Sequence, residues 1–185
     1  MIDRQAALAL VLAENPNPGL IAHGRQTEAV MRALATELGQ DPELWGVTGL
    51  LHDLDYPRTA AEPARHGLAL RDALPEGALP EEALRAIAAH NDEHTGVAPE
   101  TAFDYALRAA ESVTGIISAA ALVRPDRMVG MAPKSIKKKM KDKAFAANVR
   151  RANILECEKA GLALDAFLAL AIAAIADVAA ETGLA

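Results

Sequence analysis

The sequence predicts an all-α protein, and its composition is the first reason. The hydrophobic fraction is 51%, which comes largely from alanine and leucine, whereas aromatic residues make up only 3% and β-branched residues are sparse. Alanine and leucine favour helices, while β-branched and aromatic residues favour strands. A chain of 185 residues is long enough to bury a substantial core in one domain. We therefore predict a single-domain helical bundle.

Capping residues place the first three helices. Asp3 is a good N-cap for a helix over residues 3–13. The second helix is predicted over residues 18–38, because a proline opens it and a glycine follows it. The third opens at Asp41, an N-cap followed by proline at the first helical position, and runs to residue 52.

Prolines, glycines and apolar periodicity separate the later helices. They are predicted over residues 63–74, 81–90, 99–123, 134–140, 150–160 and 164–182. Residues 1–125 form the predicted helical core, and residues 126–185 form a C-terminal helical extension packed on that core. The apolar last helix fits either this core or a second subunit, so a homodimer is an open alternative.

Charge and cysteine content exclude several classes of function. A net charge of −6 and a pI near 5.4 argue against nucleic acid or an anionic membrane as a partner, since both call for a basic face. The single cysteine, Cys157, excludes an internal disulfide. The first residues lack the pattern of a signal peptide, and the longest apolar run, residues 166–176, falls short of the ~20 residues that cross a bilayer. We expect a cytoplasmic protein.

The adjacent pair His52 and Asp53, in the context Gly-Leu-Leu-His-Asp-Leu-Asp, is the strongest indication of a function. An imidazole and a carboxylate at the end of an apolar helix can both reach one cation. Three further histidines, His23, His66 and His90, lie at or near predicted helix ends, and bundles build metal sites from such positions. A mixed nitrogen and oxygen set suits Fe, Mn, Zn, Co or Mg. The sequence thus predicts a divalent metal cofactor of one or two ions.

This pattern resembles the HD superfamily of metal-dependent phosphohydrolases, which has an all-α fold. Its signature is a histidine, a distant His-Asp pair and a later aspartate, and the matching residues are His23, His52 and Asp53. The resemblance covers roughly residues 19–125.

Two more histidines and one departure refine the resemblance. His66 and His90 are similar to the extra ligands of the dinuclear subgroup that includes diadenosine-tetraphosphate hydrolases. The later aspartate of the family is replaced here by Glu111, in Ala-Ala-Glu-Ser, and Asp104 on the same helical face is an alternative ligand or supporting residue. The resemblance therefore implies one set of metal ligands: His23, His52, Asp53, His66, His90 and Glu111.

The resemblance implies a phosphohydrolase that acts on a phosphate ester or nucleotide through a metal-activated water, with Asp53 and His52 as catalytic residues. The implied partner is a small phosphorylated substrate. The alternative is a catalytically degenerate HD module that binds metal or nucleotide in a regulatory role. An oxygenase of the di-iron type ranks below hydrolysis, because ligand types alone do not separate the two chemistries.

A phosphate substrate calls for positive charge near the metal. The segment over residues 134–143 has six lysines in ten residues, which is also the pattern of a solvated helix face. The spacing of these residues in the sequence does not single out one basic side chain. The candidates for phosphate binding are therefore Arg58, Arg65, Arg124, Lys134 and Lys137.

Two local patterns have alternative interpretations. His90 to His94 reads His-Asn-Asp-Glu-His and fits the zinc motif of inverted metallopeptidases, provided that one helix runs through both histidines. The polar run into Gly96 argues against such a helix. Asp55 either orients a ligand imidazole or caps a loop.

Overall fold

The computed structural model describes all 185 residues and contains helices and no strand, which confirms the all-α prediction. In chain order the helices are α1 (Arg4–Glu14), α2 (Pro18–Glu37), α3 (Pro42–Leu51), α4 (Tyr56–Thr59), α5 (Leu70–Ala73), α6 (Glu81–His90), α7 (Asp92–Thr95), α8 (Ala102–Leu122), α9 (Pro133–Lys141), α10 (Arg151–Leu155), α11 (Cys157–Ala160), α12 (Leu164–Asp177) and α13 (Ala179–Thr182). One 3-10 turn, Pro63–Arg65, lies between α4 and α5.

Side-chain caps begin the first three helices where the sequence predicts them. The carboxylate of Asp3 accepts from the amide of Ala6 at 2.8 Å, and that of Asp41 accepts from the amides of Glu43 and Leu44. Asn17 caps α2 in the same way. Each cap satisfies amides that the helix itself leaves unpaired, so it fixes where the helix begins.

Helix α8 is the centre of the bundle. It packs against α2 and α6 from the first part of the chain and against α10, α11 and α12 from the last part. Its apolar positions, among them Leu107, Ile116 and Ile117, are fully buried. Burial of such a side chain stabilises the fold by roughly 1.5–3 kcal/mol. The helix that carries Glu111 is therefore fixed in position by the core.

The C-terminal extension packs on the rest of the chain, and its apolar residues join the same core. Phe167, Leu168 and Ile175 of α12 are buried, and α12 packs against both α2 and α8. The boundary at residue 125 itself stays a prediction. No single helix is long and apolar enough to cross a membrane; Arg151–Ala160 joined to Leu164–Asp177 meets that length and composition only as a pair bent by 105°.

The prediction of a helix over residues 63–74 is wrong. The chain makes a single 3-10 turn, extends at His66, adopts φ +87° at Gly67 and returns to helix only at α5. A Cβ on Gly67 would lie 2.9 Å from the carbonyl oxygen of Ile87, so the chain passes too close to α6 for a continuous helix.

The last two predicted helices are each interrupted. The helix over residues 150–160 breaks at Glu156, whose carboxylate accepts from the buried guanidinium of Arg108 at 2.6 Å. The helix over residues 164–182 breaks at Val178, after which Glu181 forms an ion pair with Arg25 of α2. In both places a charged side chain meets a partner on another helix.

Candidate metal centre

The first group of potential ligands is His23, His52 and Asp53. His23 lies in α2, and His52 and Asp53 follow the last turn of α3, which packs along α2. The Nε2 atoms of the two imidazoles are 3.2 Å apart. Oδ2 of Asp53 lies 3.4 Å from Nε2 of His52 and 3.7 Å from Nε2 of His23. The packing of two helices therefore brings these three side chains to one point.

The second group is Asp53, His66 and His90. His66 belongs to the extended chain after the 3-10 turn, and His90 is the last residue of α6. Their Nε2 atoms are 3.0 Å apart, and Oδ1 of Asp53 lies 3.2 Å from that of His66 and 3.7 Å from that of His90. Asp53 thus presents one oxygen to each group and joins them.

Hydrogen bonds fix which nitrogen of each imidazole faces the centre. Nδ1 of His52 donates to the carbonyl of Gly49 at 2.8 Å, and Nδ1 of His90 donates to the carbonyl of Ile87. A carbonyl oxygen only accepts, so both Nδ1 atoms carry a proton. When such an imidazole is neutral, its Nε2 is left with a free lone pair.

The other two imidazoles are held by side chains. Nδ1 of His23 lies 2.9 Å from the hydroxyl of Thr114, which uses its own proton on the carbonyl of Glu111. Nδ1 of His66 donates to Oδ1 of Asp55 at 2.8 Å, while Oδ2 of Asp55 accepts from the amide of Gly67. Asp55 therefore orients the imidazole of His66, a candidate ligand, and also fixes the loop that follows it, so it makes the contacts that both interpretations of this residue require.

Burial and the shared carboxylate shift the ionisation of the centre. Burial lowers the pKa of His52 to about 3, so its imidazole is neutral. Burial alone would raise the pKa of Asp53, but the surrounding imidazoles hold it well below its usual range. Burial opposes the charged form of His66 too, yet hydrogen bonds to Asp53 and Asp55 raise its pKa to about 9. Without a cation, a proton on His66 balances part of the carboxylate charge.

The distances fit divalent cations. Around an ion with bonds of about 2.1 Å, neighbouring ligand atoms lie about 3.0 Å apart in octahedral geometry and about 3.4 Å apart in tetrahedral geometry. The separations in the two groups run from 3.0 to 3.7 Å. In the first group, when both imidazoles are neutral, the Nε2 lone pairs of His23 and His52 face each other at 3.2 Å and repel unless a cation lies between them. All the donors are nitrogen or oxygen, which suits Fe, Mn, Zn, Co or Mg.

The centre opens into a polar cavity of about 420 Å³. Only three of the 14 residues that line it are hydrophobic. Besides the five ligand candidates, its wall includes Tyr56, Asn91, Glu111, Asn148 and Arg150. A polar chamber of this size fits a small hydrophilic ligand.

Glu111 lies in the cavity wall but belongs to neither ligand group. Its carboxylate accepts from the hydroxyl of Ser112. The alternative ligand Asp104 lies elsewhere, and that interpretation is wrong. Asp104 sits in the first turn of α8, where it completes a capping box with Thr101 and pairs with Arg85. Its carboxylate is needed at the helix start, since the first amides of a helix lack partners.

None of the five basic residues predicted to bind phosphate lines the cavity. Four of them have partners elsewhere: Arg58 with Glu14, Arg65 with Glu62, Arg124 with the carbonyl of Val129, and Lys137 with Asp165. Lys134 is exposed on α9. The cationic residue in the wall is Arg150, which sequence reasoning missed because nothing in its neighbourhood or spacing marks it.

The metallopeptidase interpretation of residues 90–94 is wrong. Helix α6 ends at His90, Asn91 leaves helical geometry, and a separate single turn, α7, follows. Nδ1 of His94 contacts the amide oxygen of Asn91, and His94 does not join either ligand group. The two histidines therefore do not share a continuous helical face.

Comparison with known proteins agrees with this geometry. No curated protein and no solved structure matches the chain. A family model described as HD domain matches residues 20–124, which is more than half of the chain and includes every residue of the two ligand groups. The chain belongs to the HD domain family.

Proposed function

We propose that the protein is a metal-dependent phosphohydrolase whose centre takes two divalent ions, one in each ligand group, with Asp53 between them. One observation carries the proposal: four imidazole Nε2 atoms and the two oxygens of one carboxylate form two groups of three, with separations of 3.0 to 3.7 Å inside each group. The family match supports the same chemistry. The outer hydrogen bond on each imidazole supports it further, because such bonds orient metal ligands in known centres.

Each residue of the centre then has a defined task. Bound divalent ions would supply an activated water and a positive charge for phosphoryl oxygens. Asp53 joins the two ligand groups, so it sets their separation. His52 is buried and neutral, with its free nitrogen directed at Asp53. Asp55 holds His66 with its Nε2 towards the centre.

The proposed substrate is a small phosphate ester or a nucleotide. The cavity of about 420 Å³ lies within the range typical of small-molecule sites, and most of the residues that line it have polar or ionisable side chains, which can bind a phosphorylated compound. The acidic net charge of the whole chain gives no support for a polyanionic nucleic acid partner.

Metal content and turnover test the proposal together. Freshly purified protein is analysed for elements and then assayed with Mn, Fe or Co against phosphomonoesters, nucleotides and dinucleoside polyphosphates. We expect close to two ions per chain and hydrolysis of at least one class. Asp53→Asn should abolish both, whereas Asp126→Asn, a matched change at an exposed turn residue, should alter neither. Turnover that survives Asp53→Asn would remove the proposed mechanism.

A second function is favoured by one observation, the place of Glu111. The HD family has an aspartate at this position. Here the longer side chain of Glu111 contacts Ser112 and joins neither ligand group. A catalytically degenerate module that binds metal or a nucleotide for regulation is consistent with that arrangement. It predicts stoichiometric metal without turnover of any phosphate ester. Glu111→Asp should then produce activity that the natural residue does not support.

A further inference from the structure

We propose that Arg150 is the residue that recognises the substrate, by binding a terminal phosphate that also faces the ligand groups, and that the substrate class is a compact phosphomonoester. This inference rests on the proposed function and assigns it a recognition residue. Arg150 lies outside the segment that matches the HD domain, yet it is the one lysine or arginine that lines the cavity. It is therefore a feature of this chain beyond the shared domain.

The segment that carries Arg150 is built around the neighbouring arginine. The guanidinium of Arg151 donates to the carbonyls of Ala146 at 2.8 Å and Val149 at 2.7 Å, and also to those of Asp142 and Phe145. The partly buried guanidinium of Arg151 thus binds four backbone carbonyls within residues 142–149. Such bonds to a charged donor are stronger than neutral ones, so the loop has a defined shape without regular secondary structure.

The same segment is pressed against the helix that forms the cavity floor. A Cβ on Gly115 of α8 would lie 2.9 Å from a methyl carbon of Val149. Because Gly115 has no side chain, the loop can approach α8 closely. The cavity is lined here by Gly115, Asn148, Val149 and Arg150. The loop consequently presents Arg150 and Asn148 to the space next to the ligand groups.

The present partners of Arg150 leave it available for an anion. Its Nη2 donates to Glu93 at 2.8 Å, and its Nη1 lies 3.8 Å from Asp92. Asp92 has a closer partner in Arg108, at 2.8 Å, so only Glu93 is dedicated to Arg150. The side chain of Glu93 is 66% exposed, and an exposed pair of this kind contributes little free energy. A phosphate dianion can therefore displace Glu93 from the guanidinium.

The planar guanidinium of Arg150 favours a terminal phosphate as its ligand. A guanidinium binds two oxygens of one phosphate in parallel, which a lysine does not. A phosphomonoester has three nonbridging oxygens to divide between Arg150 and the ligand groups, whereas a diester has two. The cavity of about 420 Å³ is large enough for a small organic group or a single nucleoside next to the phosphate.

Binding of inorganic phosphate to the purified, metal-loaded protein tests Arg150 without relying on turnover. Isothermal titration calorimetry is run on the natural protein and on Arg150→Gln, Arg150→Lys, Glu93→Gln and Arg71→Gln. We expect Arg150→Gln to weaken phosphate binding by about 10- to 100-fold, with Arg150→Lys in between. Glu93→Gln should bind phosphate as tightly as the natural protein or more tightly, because the competing carboxylate is gone. Arg71, in an exposed ion pair with Glu81 outside the cavity, is the matched control and should have no effect.

The outcomes separate this inference from the proposed function. The inference is overturned if Arg150→Gln leaves phosphate binding unchanged. It is also overturned if Glu93→Gln weakens phosphate binding as much as Arg150→Gln does, because the ion pair would then act only by stabilising the local structure. Para-nitrophenyl phosphate and its bis-ester are then compared as substrates. Arg150→Gln should raise KM for the monoester about tenfold more than for the diester. Phosphate binding that depends on Arg150, with hydrolysis of neither compound, keeps Arg150 as the residue that binds phosphate, but it counts against the phosphohydrolase and against a phosphomonoester as its substrate.

Discussion

The two halves of the proposed metal centre, His23–His52–Asp53 and Asp53–His66–His90, are held in place by different kinds of structure. His23 and His52 are set by the packing of α2 on α3, and their outer nitrogens bond to Thr114 and to a backbone carbonyl. His66 lies in an irregular loop and depends on Asp55 for its orientation. The comparison shows that both imidazoles of the first half are held by packed core helices. In the second half only His90, at the end of α6, is held in that way. His66 depends instead on Asp55 and on Asn91, whose side-chain amide donates to the carbonyls of Pro63 and His66.

The largest effect is expected where the two halves meet. Asp53→Asn preserves the shape of the side chain but removes its charge and one of its two acceptor oxygens. Both ligand groups include this residue, so both ions should be lost. We expect activity to fall by more than the roughly 10- to 100-fold that is typical when an outer partner of a metal ligand is removed. Elemental analysis and turnover measure the two losses, and retention of one full ion would show that the halves are independent.

Asp55→Asn should weaken only the second half. An amide at this position cannot accept from both His66 and the amide of Gly67, so one of the two contacts is lost. If the new side-chain amide donates to Nδ1, the proton of His66 moves to Nε2 and blocks coordination there. We expect the affinity for one ion to fall by about 10- to 100-fold. Chelator competition should show one weakened ion and one unchanged ion.

Thr114→Val is the matched change in the first half, and its effect should be smaller. It removes the hydroxyl next to Nδ1 of His23, but packing within α2 still holds the imidazole. Equal losses in Asp55→Asn and Thr114→Val would contradict the distinction between a half set by packing and a half set by a side chain.

The same distinction explains how much the sequence could predict. The caps at Asp3 and Asp41 and the apolar periodicity gave the bounds of the first three helices, so His23, His52 and Asp53 could be placed correctly. These signals are local, and local signals are what a single sequence contains.

His66 and Arg150 show where prediction failed. The helix expected over residues 63–74 had suitable residues, but the approach of Gly67 to α6 is a contact between distant parts of the chain. Arg150 reaches the cavity because Arg151 donates hydrogen bonds to several backbone carbonyls of a loop and so fixes its shape. The spacing of residues in the sequence does not predict such a contact. Tertiary contacts of this kind override local preference, and only the structure shows them.

Gly67→Ala should destabilise the second half through the backbone. The residue has φ +87°, and a Cβ there would meet the carbonyl oxygen of Ile87 at 2.9 Å. The matched control is Gly77→Ala, at φ +71° with no atom within 4 Å of the added carbon. Both changes carry the cost of a left-handed conformation, on the order of 1–3 kcal/mol in the free energy of unfolding. Urea denaturation should show a larger loss for Gly67→Ala, and equal losses would mean that the close approach to α6 costs nothing.

Removal of metal by a chelator should loosen the second half more than the first. Residues 60–65 are exposed, so few apolar contacts hold the chain that leads to His66 once the ions are gone. Met31 and Leu34 of α2 are fully buried in the core, and their packing does not depend on an ion. Hydrogen exchange followed by mass spectrometry should therefore show faster exchange over residues 60–69 and unchanged exchange over α2. A matching increase in α2 would mean that the ions, and not the core, position His23 as well, because a helix held by packing has no reason to open when a ligand leaves its surface.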